Sequence, residues 1–128
     1  MVDVIVKKSK IHGKGVFANR DFKPGEIILR WDTSHKLSLE KVRKLPTKTK
    51  NHVTLCDGVY TLMQSPERYI NHSCNANTKM VDFCDVAKRN IKKGEEITGN
   101  YAEDKNPYIN IRCTCGSKRC KKLIRTRF

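Results

Sequence analysis

The sequence is short of acid and has no long apolar run. No stretch approaches the length of a bilayer-spanning helix or the core of a secretory signal, which excludes a helical membrane protein and points to an intracellular, reducing setting. In that setting the six cysteines favour metal binding or free thiols over disulfides. Internal repeats and low-complexity segments are missing, and 128 residues give room for one core but not for two full domains. Only 13 Asp and Glu stand against 27 Lys and Arg, a formal charge of +14. Such an excess favours contact with nucleic acid or another polyanion and says nothing about fold. The basic residues are spread along the chain, with denser stretches at 41–50 and 118–127, and read either as a solvated face or as a DNA-facing one.

What is present is mostly strand. Short apolar alternations between turn residues predict extended structure at 2–7, 16–18, 26–31, 80–87 and 95–98, with an edge strand at the start. Lys23-Pro24-Gly25 and Lys92-Lys93-Gly94 are turns. Asp57-Gly58 predicts a hairpin between 52–56 and 59–63. Ser38 caps a short helix to Leu45, with Leu39, Val42 and Leu45 on one side and Pro46 ending it, and 47–51 reads as a mobile basic loop. Gly13-Lys14-Gly15 has no helix after it, so it is a turn and not a dinucleotide fingerprint.

Beyond Pro107 the chain is rich in cysteine, lysine and arginine and poor in apolar residues, so this tail needs a metal to fold. Cys113, Cys115 and Cys120 form a Cys-x-Cys-x4-Cys run, and three thiolates leave a tetrahedral zinc one ligand short. Cys74, at the end of Asn71-His72-Ser73-Cys74, can supply the fourth. Gly116 lets the backbone turn tightly around the ion. No fourth cysteine lies at ferredoxin spacing, which argues against an iron–sulfur cluster. A zinc tetrathiolate lowers the net charge to about +12. Alone, this clasp reads as a small zinc-stabilised nucleic-acid-binding module, Asn71-His72 as a turn and Tyr101 as a core residue.

Taken in order, the motifs are more specific. They are Ile11-His12-Gly13-Lys14-Gly15-Val16-Phe17, Arg68-Tyr69-Ile70-Asn71-His72-Ser73-Cys74, Gly94-Glu95-Glu96-Ile97-Thr98 followed by Asn100-Tyr101, and the cysteine run. This order resembles the SET-domain lysine methyltransferases with a zinc-binding post-SET tail, from about residue 2 to 124 and most weakly between 36 and 53. The resemblance implies a mainly β fold of the β-clip type, with small curved sheets and a pseudoknot. A SET domain would cover residues 1–106, with a variable insert at about 36–53, and the zinc-bound tail residues 107–128.

It also implies S-adenosylmethionine as methyl donor and one structural zinc. Cys74, Cys113, Cys115 and Cys120 would hold the metal. His12, Lys14, Gly15, Arg68, Tyr69, Asn71, His72, Thr114 and Leu123 would bind or support the donor, and Tyr101 would be catalytic. The implied partner is a lysine-containing protein such as a histone or nucleoid protein, with DNA contact through the basic surface, in the nucleus of a eukaryote or the nucleoid of a microbe. A non-catalytic SET reader or scaffold is the competing outcome. Gly99 departs from the family's common aromatic two positions before the tyrosine, which opens the number of methyl groups added. His52 or Tyr60 would stand for a channel tyrosine, Ala76 replaces a usual proline, and Cys56 and Cys84 are buried thiols outside the metal set.

Overall fold

A computed structural model of the chain describes residues 3–103, 110–118 and 120–125. The expected boundary at 106/107, the strand start at Val2, and Arg119 and Arg127 lie outside the described residues. The fold is mainly β. Strand β1 (Val4–Lys8) pairs antiparallel with β2 (Lys14–Ala18), Val4 opposite Ala18 and Val6 opposite Val16. Its alternation is the cause: Val4 and Val6 pack on the core while Ile5 faces solvent.

Three further small sheets accompany this start among the described residues. β3 (Ile27–Arg30) pairs with β9 (Cys84–Ala87), which pairs with β8 (Thr78–Val81). β4 (Lys36–Leu37) and β5 (Val53–Cys56) flank β6 (Val59–Leu62). The tail pairs β11 (Asn110–Arg112) with β12 (Leu123–Arg125). The two remaining strands, β7 (Asn71–His72) and β10 (Glu96–Gly99), complete the first sheet in the order β1-β2-β10-β7. No helix among the described residues is long and apolar enough to cross a membrane.

The hairpin at Asp57-Gly58 forms as its sequence predicts, with positive φ at both residues (52° and 78°). The capped helix also forms, as α1 (Leu39–Arg43), with Ser38 Oγ accepting from the Lys41 N–H at 3.2 Å. Only Val42 of its apolar side is buried; Leu39 stays 41% exposed. Two expectations change. The 47–51 loop contains a helical turn, α2 (Thr47–Lys50), because Pro46 lacks only a donor and its carbonyl accepts from Thr49 and Lys50. The single strand at 80–87 is a hairpin turned by Asp82 and Phe83, both at positive φ. A phenylalanine in that region carries no turn signal.

The core gathers Val16, Ala18, Phe22, Ile28, Ile70, Ala87, Ile91 and Ile97, with Phe22 and Ile91 exchanging backbone bonds of 2.7 and 2.9 Å. Beside it runs the least local feature of the chain. β10 lies parallel to β7, Thr98 opposite Asn71 and Gly99 opposite His72, although 27 residues separate each pair. Asn77 fastens this crossing: its side chain accepts from the Thr98 N–H at 2.9 Å and donates to the Glu96 carbonyl at 2.8 Å. Asn77 and Thr98 are both buried, so neither group has water as a substitute. Asn77→Ala is expected to lower unfolding free energy by about 2–4 kcal/mol, because it strands two buried backbone groups; urea denaturation measures it.

Candidate functional site

The parallel crossing delivers three side chains to one place. Asn71, on β7, turns its amide nitrogen to the carbonyls of His12 and Lys14 and to Glu96 Oε2, each at 3.0 Å. All three are acceptors, which fixes the amide orientation. His72 accepts at Nδ1 from the Tyr101 N–H at 2.9 Å, so its Nε2 carries the hydrogen, 3.3 Å from Cys74 Sγ. Burial, with the nearby Lys121 charge second, pushes His72 down to about 4, and the ring is neutral at physiological pH. The Tyr101 hydroxyl donates to the Ile70 carbonyl, and its ring packs edge-on against His72 at 5.4 Å.

These residues border a cavity of about 610 Å³. The 11–14 turn forms one wall; Arg68, Tyr69, Asn71, His72 and Tyr101 form another; Thr114 and Cys113 of the tail close a third side, with Lys48 and His52 from the insert. Thr114 Oγ1 donates to the Ile11 carbonyl at 2.7 Å, which pins the tail to the first turn. A smaller recess of about 50 Å³ shares Asn51, His52, Arg68 and Tyr101 with the cavity and extends along Ile70, Gly99, Met63, Met80 and Trp31. Tyr101 therefore stands where the two spaces meet. His52, held below the ordinary imidazole range by burial and then by the Arg68 charge, is a neutral wall of both, while Tyr60 lines neither.

Most residues singled out from the sequence come together here. His12, Lys14, Arg68, Tyr69, Asn71, His72, Thr114 and Tyr101 all line the large cavity. Gly15 stands behind the wall, where a Cβ would meet Glu96 Oε2 at 2.4 Å. Leu123 lies outside the lining and is 49% exposed. Sequence reasoning missed Ser9, whose hydroxyl donates to Glu96 at 2.7 Å, and Lys48, which reaches the cavity only because 47–50 is helical. Arg68 Nε is buried with no hydrogen-bond partner among the described residues.

Cys74, Cys113, Cys115 and Cys120 are free thiols whose sulfurs all lie within 4.8 Å of one another. Bonds of about 2.3 Å to a tetrahedral zinc would place its sulfurs about 3.8 Å apart. The Cys74–Cys113 separation is 3.8 Å, and a disulfide would need about 2 Å. Burial pushes the Cys113 thiol up to about 12. Burial also opposes ionisation of Cys115, yet the Cys74 and Ser117 backbone donors bring it down to about 6. Sulfurs this close cannot all carry charge without a cation between them, so the donor set fits zinc. Gly116, at φ 74°, makes the turn inside the run. Purified protein is expected to hold about one zinc per chain by elemental analysis, and chelation to expose 113–124 to proteolysis while the core resists. Metal-free protein with an equally resistant tail would contradict the site.

The comparisons agree with this geometry. The SET domain family model matches residues 13–102. The histone-lysine N-methyltransferase trr of Drosophila melanogaster is 32% identical over 144 residues, covering 95% of this chain and 6% of its own. The histone-lysine N-methyltransferase trithorax of Drosophila virilis is 30% identical over 143 residues, covering 93% and 4%. The chain thus spans a small fraction of these relatives. A solved Plasmodium falciparum structure, provisionally described as a histone methyltransferase, superposes with a TM-score of 0.64 at 22% identity, over 79% of this chain and 94% of that one. With its four motifs in order around one cavity, the chain belongs to the SET-domain family.

Proposed function

We propose that the protein is an S-adenosylmethionine-dependent protein-lysine N-methyltransferase. The observation that carries this reading is the position of Tyr101, at the junction of a large cavity and a narrower recess. The cavity suits the donor: Lys14 and Arg68 bring positive charge to its lining, and the 11–14 turn offers backbone atoms along one wall. The recess suits the stem and amine of a lysine, with Ile70, Met63, Met80 and Trp31 around a narrow space that Glu67 and Asp85 also line. Bound S-adenosylmethionine supplies a sulfonium methyl group open to displacement in line.

Each residue then has a task set by chemistry. The lysine must attack as a neutral amine, and with an unperturbed pKa of about 10.4 this costs about 4.6 kcal/mol at pH 7. Apolar walls that strip water from the ammonium lower that pKa, the Glu67 and Asp85 carboxylates at the recess oppose the drop, and the neutral His52 adds no charge. Tyr101 donates its proton to Ile70, which leaves the phenolic oxygen as an acceptor beside the reacting nitrogen. Confinement between Tyr101 and the cavity supplies alignment. The four cysteines keep a structural role, since four thiolates leave zinc no open position.

The relatives, which are named as histone-lysine N-methyltransferases, support a histone-like target. With a charge of +14, a basic enzyme meets a basic tail unfavourably unless a polyanion bridges them. We therefore assign a DNA-associated basic protein, a histone or a nucleoid protein, as substrate. Action on chromatin in a nucleus, or on the nucleoid of a microbe, follows from that choice.

Tyr101→Phe is expected to lose most turnover, about 100-fold or more, while calorimetry still detects S-adenosylhomocysteine. Near-normal turnover would remove Tyr101 from the chemistry, whereas no donor binding by the unmodified protein, with DNA binding retained, would favour a nucleic-acid-binding zinc module. Methylation of a free histone peptide is expected to be weak, and DNA should change it in a way that fades between about 50 and 200 mM salt. Activity indifferent to both would reduce the positive surface to solvation.

A further inference from the structure

The pair Asn71-His72 is where the family resemblance locates donor binding, yet the Asn71 amide is already occupied within the protein. Its nitrogen has two hydrogens to give and faces three acceptors at 3.0 Å: the His12 and Lys14 carbonyls and Glu96 Oε2. The carboxylate of Glu96 is equally committed. Its Oε1 and Oε2 accept from the Ser9 hydroxyl at 2.7 and 2.9 Å, and Oε2 also accepts from Asn71. Ser9 Oγ accepts in turn from the Ile11 N–H at 2.9 Å, and the Ser9 N–H donates to the Gly13 carbonyl at 2.8 Å. These bonds close a ring around the 9–14 turn, whose residues 11–14 form a wall of the large cavity.

We propose that Glu96, acting with Ser9, is a positioning residue for the donor site: its carboxylate anchors the Asn71 amide and the Ser9 hydroxyl and thereby sets the 11–14 turn against the cavity. Gly15 fits this role independently. A Cβ there would stand 2.4 Å from Glu96 Oε2, so the carboxylate occupies the space that any larger residue would take. The same turn receives the tail, because the Ile11 carbonyl accepts from Thr114. Glu96 touches none of the space itself; it acts through Asn71 and Ser9. Without it, the Ser9 hydroxyl loses its acceptor and the Asn71 amide one of its three, and the turn is tied to β7 only through the His12 and Lys14 carbonyls.

The inference rests on reading the cavity as the donor site, so one measurement is made without donor. Zinc-loaded full-length protein, unmodified and as Glu96→Ala, Glu96→Gln, Ser9→Ala and Gly15→Ala, is followed by amide hydrogen exchange and by calorimetry with S-adenosylhomocysteine. In Glu96→Ala, exchange at residues 11–14 is expected to rise about tenfold while β3, β8 and β9 keep their protection. Donor affinity should fall about tenfold. Gly15→Ala should reproduce both effects with the carboxylate still present, Ser9→Ala should show a weaker form, and Glu96→Gln, which keeps an acceptor for Asn71, should restore most of the affinity.

Unchanged exchange at 11–14 in Glu96→Ala, or loss of protection spread evenly over every sheet, would overturn the positioning role. Should Glu96→Ala not fold, unaltered affinity and exchange in both Ser9→Ala and Gly15→Ala would overturn it equally. Failure of the unmodified protein to bind S-adenosylhomocysteine would strike the donor reading instead, and the exchange pattern would then decide the role of Glu96 alone.

Discussion

The parallel pairing of Thr98 with Asn71 and Gly99 with His72 is the constraint from which the site follows. Two short strands, far apart in sequence, must lie side by side before any functional group has its neighbours. Once they do, Ser73 donates to the Gly99 carbonyl, Tyr101 donates through its backbone to His72, and its hydroxyl returns to Ile70. Parallel two-residue ladders are weak alone, and the hydrogen bonds of Asn77 and Thr78 to β10 compensate. The pair also sits against Ile70 and Ile97, so apolar burial holds the crossing in the core.

Around that crossing, charge is arranged by exclusion. His72 and His52 are kept neutral, the first beside the thiol cluster and the second beside Arg68. Ion pairs among the described residues, such as the half-exposed Arg20 with Glu26 and the exposed Lys44 with Glu40, contribute little to stability. The four cysteines crowd ionisable groups together, and a divalent ion held there would supply the charge of opposite sign.

Much of this was legible from residue order. Cysteine spacing singled out thiols that the fold gathers, Asp57-Gly58 announced its hairpin and Ser38 its cap, because each rests on local chemistry that survives in any fold. The order of the motifs identified the family. Harder to read were features whose cause is non-local. Phe83 adopts a positive φ because the β8–β9 pairing demands a tight turn, against its own preference. Lys48 reaches the cavity through a helical turn that four polar residues after a proline do not announce. Glu96 looked like one more charge in a turn-and-strand motif, and its partner Ser9, 87 positions away, carried no pattern to link them.

The hydrogen bond from Thr114 to the Ile11 carbonyl spans 103 positions of sequence. Such a contact makes the metal-binding end and the opening turn heritable only as a matched set. A tail grafted from a relative would bring its own cysteines and fold around its own ion, yet it would still have to present a hydroxyl at the right height above a foreign turn. Exchange of segments among members of this family is therefore limited less by whether each piece folds than by whether the two edges meet.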